Sequence, residues 1–237
     1  MTIAAKLKEK GVYHLHYMAP IGTAKLIAMK GILSFNEKQN AIEDPSYKTL
    51  MKEVGAESIA DPNVQFRRDG INIEGKPLHD YVPLYFGVHT PMQYVVTKKY
   101  VKNQDTTITF IEIATAMVFK KKGVLYTDGN AASGDTEFFR DASGIDQINW
   151  KIVLHTPNCY SQEYKRIKCA EVLVPDRVDP ICIKRFIFLT ERAQNDFKKW
   201  IASRKEMQLV ERTPETLCDK SHFYNEQIFQ KKVFSWL

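Results

Sequence analysis

Apolar residues fall along this chain at two spacings, one helical and one alternating. Over residues 20–31, Ile21, Ala24 and Ala28 share one face and Gly31 follows as a stop, which predicts a short helix. Asp44-Pro45 supplies a cap and a first-turn proline. Tyr47, Leu50, Met51 and Val54 then recur at helical spacing until Gly55. Val82, Leu84 and Phe86 alternate within Tyr81–Phe86, as in a strand, and Pro83 predicts an edge position or a strand start. Thr90-Pro91 caps a helix carrying Met92, Val95 and Val96. Strands are predicted at Thr107–Ala114, Val124–Thr127, Ala170–Val174 and Ile183–Leu189. A last helix, capped by Thr190, places Ala193, Phe197, Trp200 and Ile201 on one face. Residues 128–165 are polar and aperiodic, which predicts a long functional loop. Strands and helices mix without regular alternation, so the expectation is one α+β domain over residues 1–237.

Composition narrows the function classes. With 44% hydrophobic and 26% charged residues, the chain is neither disordered, collagen-like nor a coiled coil. The net charge of +6 is spread out and suits a polyanion or nucleotide partner. Cys159, Cys169, Cys182 and Cys218 form no CxxC pair, so neither a zinc knuckle nor a disulfide framework is expected. The opening MTIAAKLKEKG has no long apolar stretch, and Ile108–Phe119 is interrupted and short. No membrane span is expected, and the expected compartment is the cytoplasm. The sequence contains no GxGxxG after a strand, no GxxxxGK[ST], no HExxH and no GxSxG.

Three clusters remain that carry chemistry. Tyr13-His14-Leu15-His16 lies on a predicted strand with both imidazoles on one face, able to bind ribose hydroxyls or simply to rest half-exposed. Gln65-Phe66-Arg67-Arg68 lies in an irregular stretch. Its guanidinium pair suits phosphate, or it is two solvated arginines. In Arg166-Ile167-Lys168-Cys169-Ala170-Glu171-Val172-Leu173-Val174 a carboxylate enters an apolar strand. Glu171 and Leu173 share one face, opposite Ala170, Val172 and Val174. Glu171 could meet a developing positive charge, or it could point to water from an edge strand.

Taken in order, these clusters resemble the DarT family of toxins that ADP-ribosylate bases of single-stranded DNA. Tyr13-His14 and Gly31-Ile32-Leu33 look like its YHIT and Gly-Leu-Leu segments. Ser58-Ile59-Ala60 with Gln65–Arg68 look like its SIA and IQxRR. Leu78-His79-Asp80-Tyr81-Val82-Pro83-Leu84-Tyr85-Phe86, followed by Thr90-Pro91-Met92, is similar to LHDYVPFYF and SPM. Thr127-Asp128-Gly129-Asn130-Ala131 with Thr136 and Phe138-Phe139, and Ala170–Val174, resemble the middle of the family and its AEFLV.

The resemblance implies an ADP-ribosyltransferase fold with a split β-sheet holding NAD in a cleft, and no metal. It implies Glu171 as the catalytic glutamate on the ribose 2′-hydroxyl, and Arg68 as the catalytic arginine that also holds NAD. His14, Leu15, His16 and Leu33 would contact NAD, with Tyr85 stacking on nicotinamide. It also implies a recognition loop in which Tyr160, Lys165, Arg166 and Lys168 bind DNA, and a macrodomain antitoxin as partner. Thymine is the preferred acceptor base; guanine, RNA, protein or a non-catalytic nucleic-acid module are the alternatives. The chain departs from the family pattern at Thr23, His89 and Cys169, where Asn, Arg and Gln are common.

Overall fold

The computed structural model describes residues 1–59, 62–100, 108–154, 161–204 and 214–223, with backbone alone for 97–100. In chain order the first half comprises α1 (Ile3–Glu9), β1 (His14–Pro20), α2 (Ile21–Lys30), β2 (Ile32–Leu33), α3 (Phe35–Ile42), α4 (Pro45–Val54), α5 (Pro62–Arg68), β3 (Asn72–Ile73), β4 (Lys76–Pro77), β5 (Tyr81–Tyr85) and α6 (Pro91–Tyr100). The second half comprises β6 (Ile108–Ala114), α7 (Thr115–Val118), β7 (Leu125–Thr127), β8 (Phe138–Phe139), α8 (Trp150–Leu154), α9 (Gln162–Lys168), β9 (Glu171–Pro175), β10 (Arg177–Val178), β11 (Ile183–Phe188), α10 (Glu191–Ala202) and β12 (Glu215–Cys218).

Eight strands form one mixed sheet in the order β12-β11-β6-β1-β5-β9-β7-β8, antiparallel throughout except at β11/β12. The sheet is nearly two sheets. β1 and β6 pair along seven positions, whereas β1 and β5 share the single position His16–Tyr85 and then part. The split that the resemblance implied therefore opens between β1 and β5. Small paired strands, β2/β10 and β3/β4, lie outside the main sheet.

Alternation gives the sheet two unlike faces. On one, Leu15, Ala19, Ile111, Ile113, Val82, Leu84, Val172, Val174 and Phe186 join α1, α2 and α10 in the main core. The other face carries two separate apolar clusters, one around Met18, Phe110 and Ile187, the other around Tyr81, Leu125 and Leu173. Where these give out, polar side chains take over, and that is the face bearing His16, Tyr85 and Glu171.

The helices begin and end as their caps dictate. Asp44 accepts from the Ser46 N–H, Gly55 closes α4 in the left-handed region at φ 62°, and Thr190 accepts from the Ala193 N–H at the start of α10. Thr90 does the same for Gln93 in α6. Three expectations fail. Pro83 lies mid-strand in the sheet interior, not at an edge or start, and is tolerated because β1 has already diverged from β5 there. Gln65–Arg68 form the end of α5, not an irregular stretch. Within 128–165 the structure holds β8, a 3₁₀ segment at Ala142–Gln147, α8 and the first turn of α9. That stretch is organised by single aromatic anchors: Phe139 stacks on Tyr126, whose hydroxyl donates to the Asp141 carbonyl, and Trp150 Nε1 donates to the Ile145 carbonyl. Thr107 lies outside the described residues.

α2 crosses the end of α4 so closely that a Cβ at Gly22 would overlap the carbonyl oxygens of Val54 and Gly55. Gly22→Ala is therefore expected to lower stability by about 1–3 kcal/mol through overpacking, read as a lower urea midpoint with an unchanged slope.

Candidate active site

Glu171 opens β9 and is 2% exposed. It is an interior residue, so the edge-strand alternative does not hold. Its Oε1 accepts the Ala131 N–H at 2.7 Å. Its own N–H donates to the Thr127 hydroxyl at 3.1 Å, and that hydroxyl donates to the Gly129 carbonyl at 2.6 Å. Arg68, 8% exposed, brings Nη1 to 3.4 and 3.5 Å from the two carboxylate oxygens. These are long contacts, an electrostatic pairing and not a closed two-pronged fork. Arg68 Nη2 and Gln65 Oε1, one helical turn apart on α5, are buried without a hydrogen-bond partner. A buried donor and acceptor left open beside a carboxylate fit a polar ligand that completes them.

The turn that carries Ala131 is fixed from α9. Arg166 contacts both carboxylate oxygens of Asp128 at 3.1 and 3.3 Å, both of Glu163 at 2.9 Å, and the Thr136 hydroxyl at 3.2 Å. Its pKa is raised, first by the hydrogen bond to Glu163 and then by Asp128, against the effect of burial. The Arg166 carbonyl accepts the Asn130 N–H at 3.0 Å. Lys168 is buried, with Nζ on the Val153 carbonyl at 2.8 Å, joining α9 to α8. Of the residues expected to touch DNA, Arg166 and Lys168 are thus engaged inside the protein and Lys165 is exposed on α9. Tyr160 lies outside the described residues.

The LHDYVP segment anchors the arginine. His79 Nε2 lies 2.7 Å from Asp69, the residue after Arg68, and Asp80 accepts from Asn36 Nδ2 at 2.7 Å. Tyr85 ends the segment and stands in register between Glu171 on β9 and His16 on β1. Burial raises its pKa well above the ordinary tyrosine value and keeps the hydroxyl protonated.

His14 and His16 project from β1 on the same face, as alternation predicts, while Leu15 points into the main core. Leu33 lines an open recess of about 400 Å³ together with Tyr17, Lys38, Tyr47 and Met51. Thr23 also borders it, its hydroxyl held between the backbone carbonyl and N–H of Glu57.

The register continues past His16. Glu112 on β6 lies opposite His16, and Arg185 on β11 lies opposite Glu112. A single row of Arg185, Glu112, His16, Tyr85 and Glu171 therefore crosses five neighbouring strands on one face. Glu112, His222, Thr127 and Ala131 are members of this region that sequence reasoning did not assign. Glu112 stood in plain view as the charged interruption of an apolar run, whereas no local pattern marks His222. Among the described residues, no group of three or more His, Cys, Asp or Glu is placed to hold a metal, and no helix is long and apolar enough to cross a membrane.

Comparison with known proteins places this geometry in company. The family described as "ssDNA thymidine ADP-ribosyltransferase, DarT" matches residues 45–220. A DNA ADP-ribosyl transferase–DNA ADP-ribosyl glycohydrolase fusion protein of Thermosipho africanus is 28% identical over 193 residues, 80% of this chain and 46% of that protein. A DNA ADP-ribosyl transferase of Thermus sp. is 28% identical over 123 residues, 49% of this chain and 59% of that protein. The chain spans about half the length of these curated relatives. The structure of Thermus sp. 2.9 DarT in complex with ADP-ribosylated ssDNA matches with a TM-score of 0.73 at 23% identity, over 90% of this chain and 97% of that one. The same protein in complex with NAD+ matches with a TM-score of 0.68 at 21% identity, over 90% and 98%. The fold is that of these transferases, as the split sheet led one to expect.

Two outcomes follow for stability. Removing Arg68 leaves a buried carboxylate unpaired, so Arg68→Ala is expected to lower stability by about 3 kcal/mol. Adding Glu171→Gln to it is expected to restore part of that loss, and urea unfolding of the single and double variants measures the coupling. Burial lowers the His16 pKa from 6.5 to about 4, with Glu112 opposing. Between those pH values the unfolded chain binds a proton that the folded chain refuses. Stability therefore falls on acidification, by up to about 3 kcal/mol from this residue. His16→Gln is expected to flatten that part of the stability–pH curve in urea titrations at pH 4–7.

Proposed function

Because this chain belongs to the DarT family, we propose that it transfers ADP-ribose from NAD to thymine in single-stranded DNA, releasing nicotinamide. The observation that carries this reading is the buried Arg68–Glu171 pair at the split in the sheet, with Ala131 donating to the carboxylate. The open Nη2 of Arg68 and the open Nδ1 of His16, both buried, are the atoms that a dinucleotide would complete.

NAD supplies a ribose already bonded to a good leaving group. Breaking the bond from ribose to nicotinamide builds positive charge on the sugar, as in glycoside hydrolysis, and a fixed carboxylate stabilises that charge. Glu171 is held for that task by Arg68 and Ala131, accepts the 2′-hydroxyl proton in a hydrogen bond, and needs no reorganisation. His14 and His16 hold the ribose, Tyr85 offers its ring to nicotinamide, Leu33 borders the cofactor, and Leu15, whose side chain is buried in the main core, offers only its backbone. The part of the Arg68 guanidinium is to stabilise the negative charge that builds on the acceptor base as its ring nitrogen gives up its proton to water and attacks the anomeric carbon. Nicotinamide leaves with the electrons of the broken bond. An unpaired strand presents that nitrogen without the work of opening a duplex.

For DNA we assign contact to Tyr160 and exposed Lys165, which offer a stacking face and a phosphate-binding cation. Arg166 and Lys168 act from inside the protein, Arg166 by holding the turn that supports Glu171. The reading takes residues 1–237 as one catalytic unit acting in the cytoplasm, a toxin opposed by a macrodomain antitoxin. The glycohydrolase part of the Thermosipho fusion protein is what supports that partner.

Intact-mass measurement of single-stranded oligonucleotides incubated with the protein and NAD tests this. One added ADP-ribose is expected on thymine-containing strands and none on strands lacking thymine. Glu171→Gln is expected to lower the rate by about 10²–10³ or more while oligonucleotide binding changes little. Adducts on guanine, RNA or protein would move the acceptor, and none on any of them would sink the transferase reading.

A further inference from the structure

Glu112 lies one strand beyond His16, away from the Arg68–Glu171 pair, and is 6% exposed. Groups capable of positive charge surround its carboxylate: Arg185 Nε at 3.1 Å, His222 Nε2 at 3.3 Å and His14 Nδ1 at 3.5 Å. His16 faces it across the ladder. His222 is held on its other side by Asp219 at 3.0 Å, so its ring lies between two carboxylates. The segment bearing His222 is pinned by three further contacts. Gln93 Nε2 donates to the His222 carbonyl at 2.6 Å, His89 Nε2 lies 3.0 Å from the Ser221 carbonyl, and Phe223 meets Phe110 edge-on at 4.9 Å.

Within this cluster Glu112 Oε2, Arg185 Nε and His16 Nδ1 are buried, and none meets hydrogen-bond geometry. Glu112 Oε2 and Arg185 Nε attract one another at 3.1 Å without the alignment of a hydrogen bond, so their polar capacity is not fully used. Several such atoms together, beside a cleft, mark an arrangement that closes when a ligand shifts the side chains into line. Burial would raise the Glu112 pKa, but the hydrogen bond from His222, with His16, His14 and Arg185 around it, lowers it below the ordinary glutamate value. The carboxylate is therefore charged and available to hold an imidazole.

We propose that Glu112 is a positioning residue for the β1 histidines. It draws the Nδ1–H of His14 toward itself and so leaves Nε2 as a lone-pair acceptor for a ribose hydroxyl, while His222 and Asp219 lock the carboxylate from behind. This rests on the reading of the cleft as an NAD site, but one of its readouts does not.

The test uses Glu112→Gln and His222→Gln in the full chain. Nitrogen-15 imidazole NMR reports the His14 tautomer without substrate, calorimetry reports NAD binding, and transfer kinetics separate KM from kcat. In the parent protein the Nδ1–H tautomer of His14 is expected to dominate. Glu112→Gln is expected to mix the two tautomers and raise Kd and KM for NAD about tenfold, the size of one lost charged hydrogen bond. The expected change in kcat is less than about twofold. His222→Gln is expected to move the same quantities in the same direction by a smaller factor, and it carries the test if Glu112→Gln does not fold. An unchanged His14 tautomer and unchanged NAD Kd in a folded variant would overturn the proposal, as would a fall in kcat alone. A parent protein that binds no NAD would instead overturn the function proposed above, with the tautomer measurement still deciding the role of Glu112.

Discussion

A charged carboxylate at the foot of an interior strand must be paid for by its surroundings, and most of the site's architecture follows from meeting that demand at Glu171. One guanidinium and one backbone N–H do so directly, from α5 and from the turn after β7. Neither partner is local in sequence. Arg68 reaches the site because His79 holds Asp69, and Ala131 reaches it because Arg166 clasps Asp128. Removing a charge from water is recovered only with good geometry and additional hydrogen bonds. The site therefore recruits rigid pieces from well-separated parts of the chain to supply them.

The same economy of placement shapes the sheet. Its helix-covered face is mainly apolar, and its other face is apolar only in two patches on either side of the split. The row from Arg185 to Glu171 fills the remaining band with alternating character: cation, carboxylate, imidazole, phenol, carboxylate. Neighbouring strands put these groups side by side on one face. Glu112 opposes the burial that lowers the His16 pKa and helps to raise that of His222. Burial works against His222, but its bonds to Glu112 and Asp219 prevail.

How much of this could be read beforehand depended on range. Helices with local caps, such as α4 between Asp44 and Gly55, were legible because their start and stop signals lie within the element. Glu171 was legible as a carboxylate in an apolar strand, and the pairing of His14 with His16 follows from alternation. α5 was not, because seven mostly polar residues give no apolar stripe. Pro83 misled because proline argues against an interior strand unless the neighbouring strand has left, a fact of tertiary structure. Arg166 and Lys168 looked like surface cations; only the fold shows that Asp128 and the Val153 carbonyl wait for them. Glu112 and His222 lie 110 residues apart, and only strand order and the return of the chain after β12 unite them.

The joint between β1 and β5 is a single rung, His16 opposite Tyr85. Elsewhere in the sheet the ladders are longer, but here the backbones of two half-sheets meet at one rung, like covers on a narrow spine. The apolar core on the helix side spans both. A molecule seated across that spine touches both covers at once. It draws on groups from both halves, so what the cleft accepts is set by how the two stand to one another across a single backbone rung.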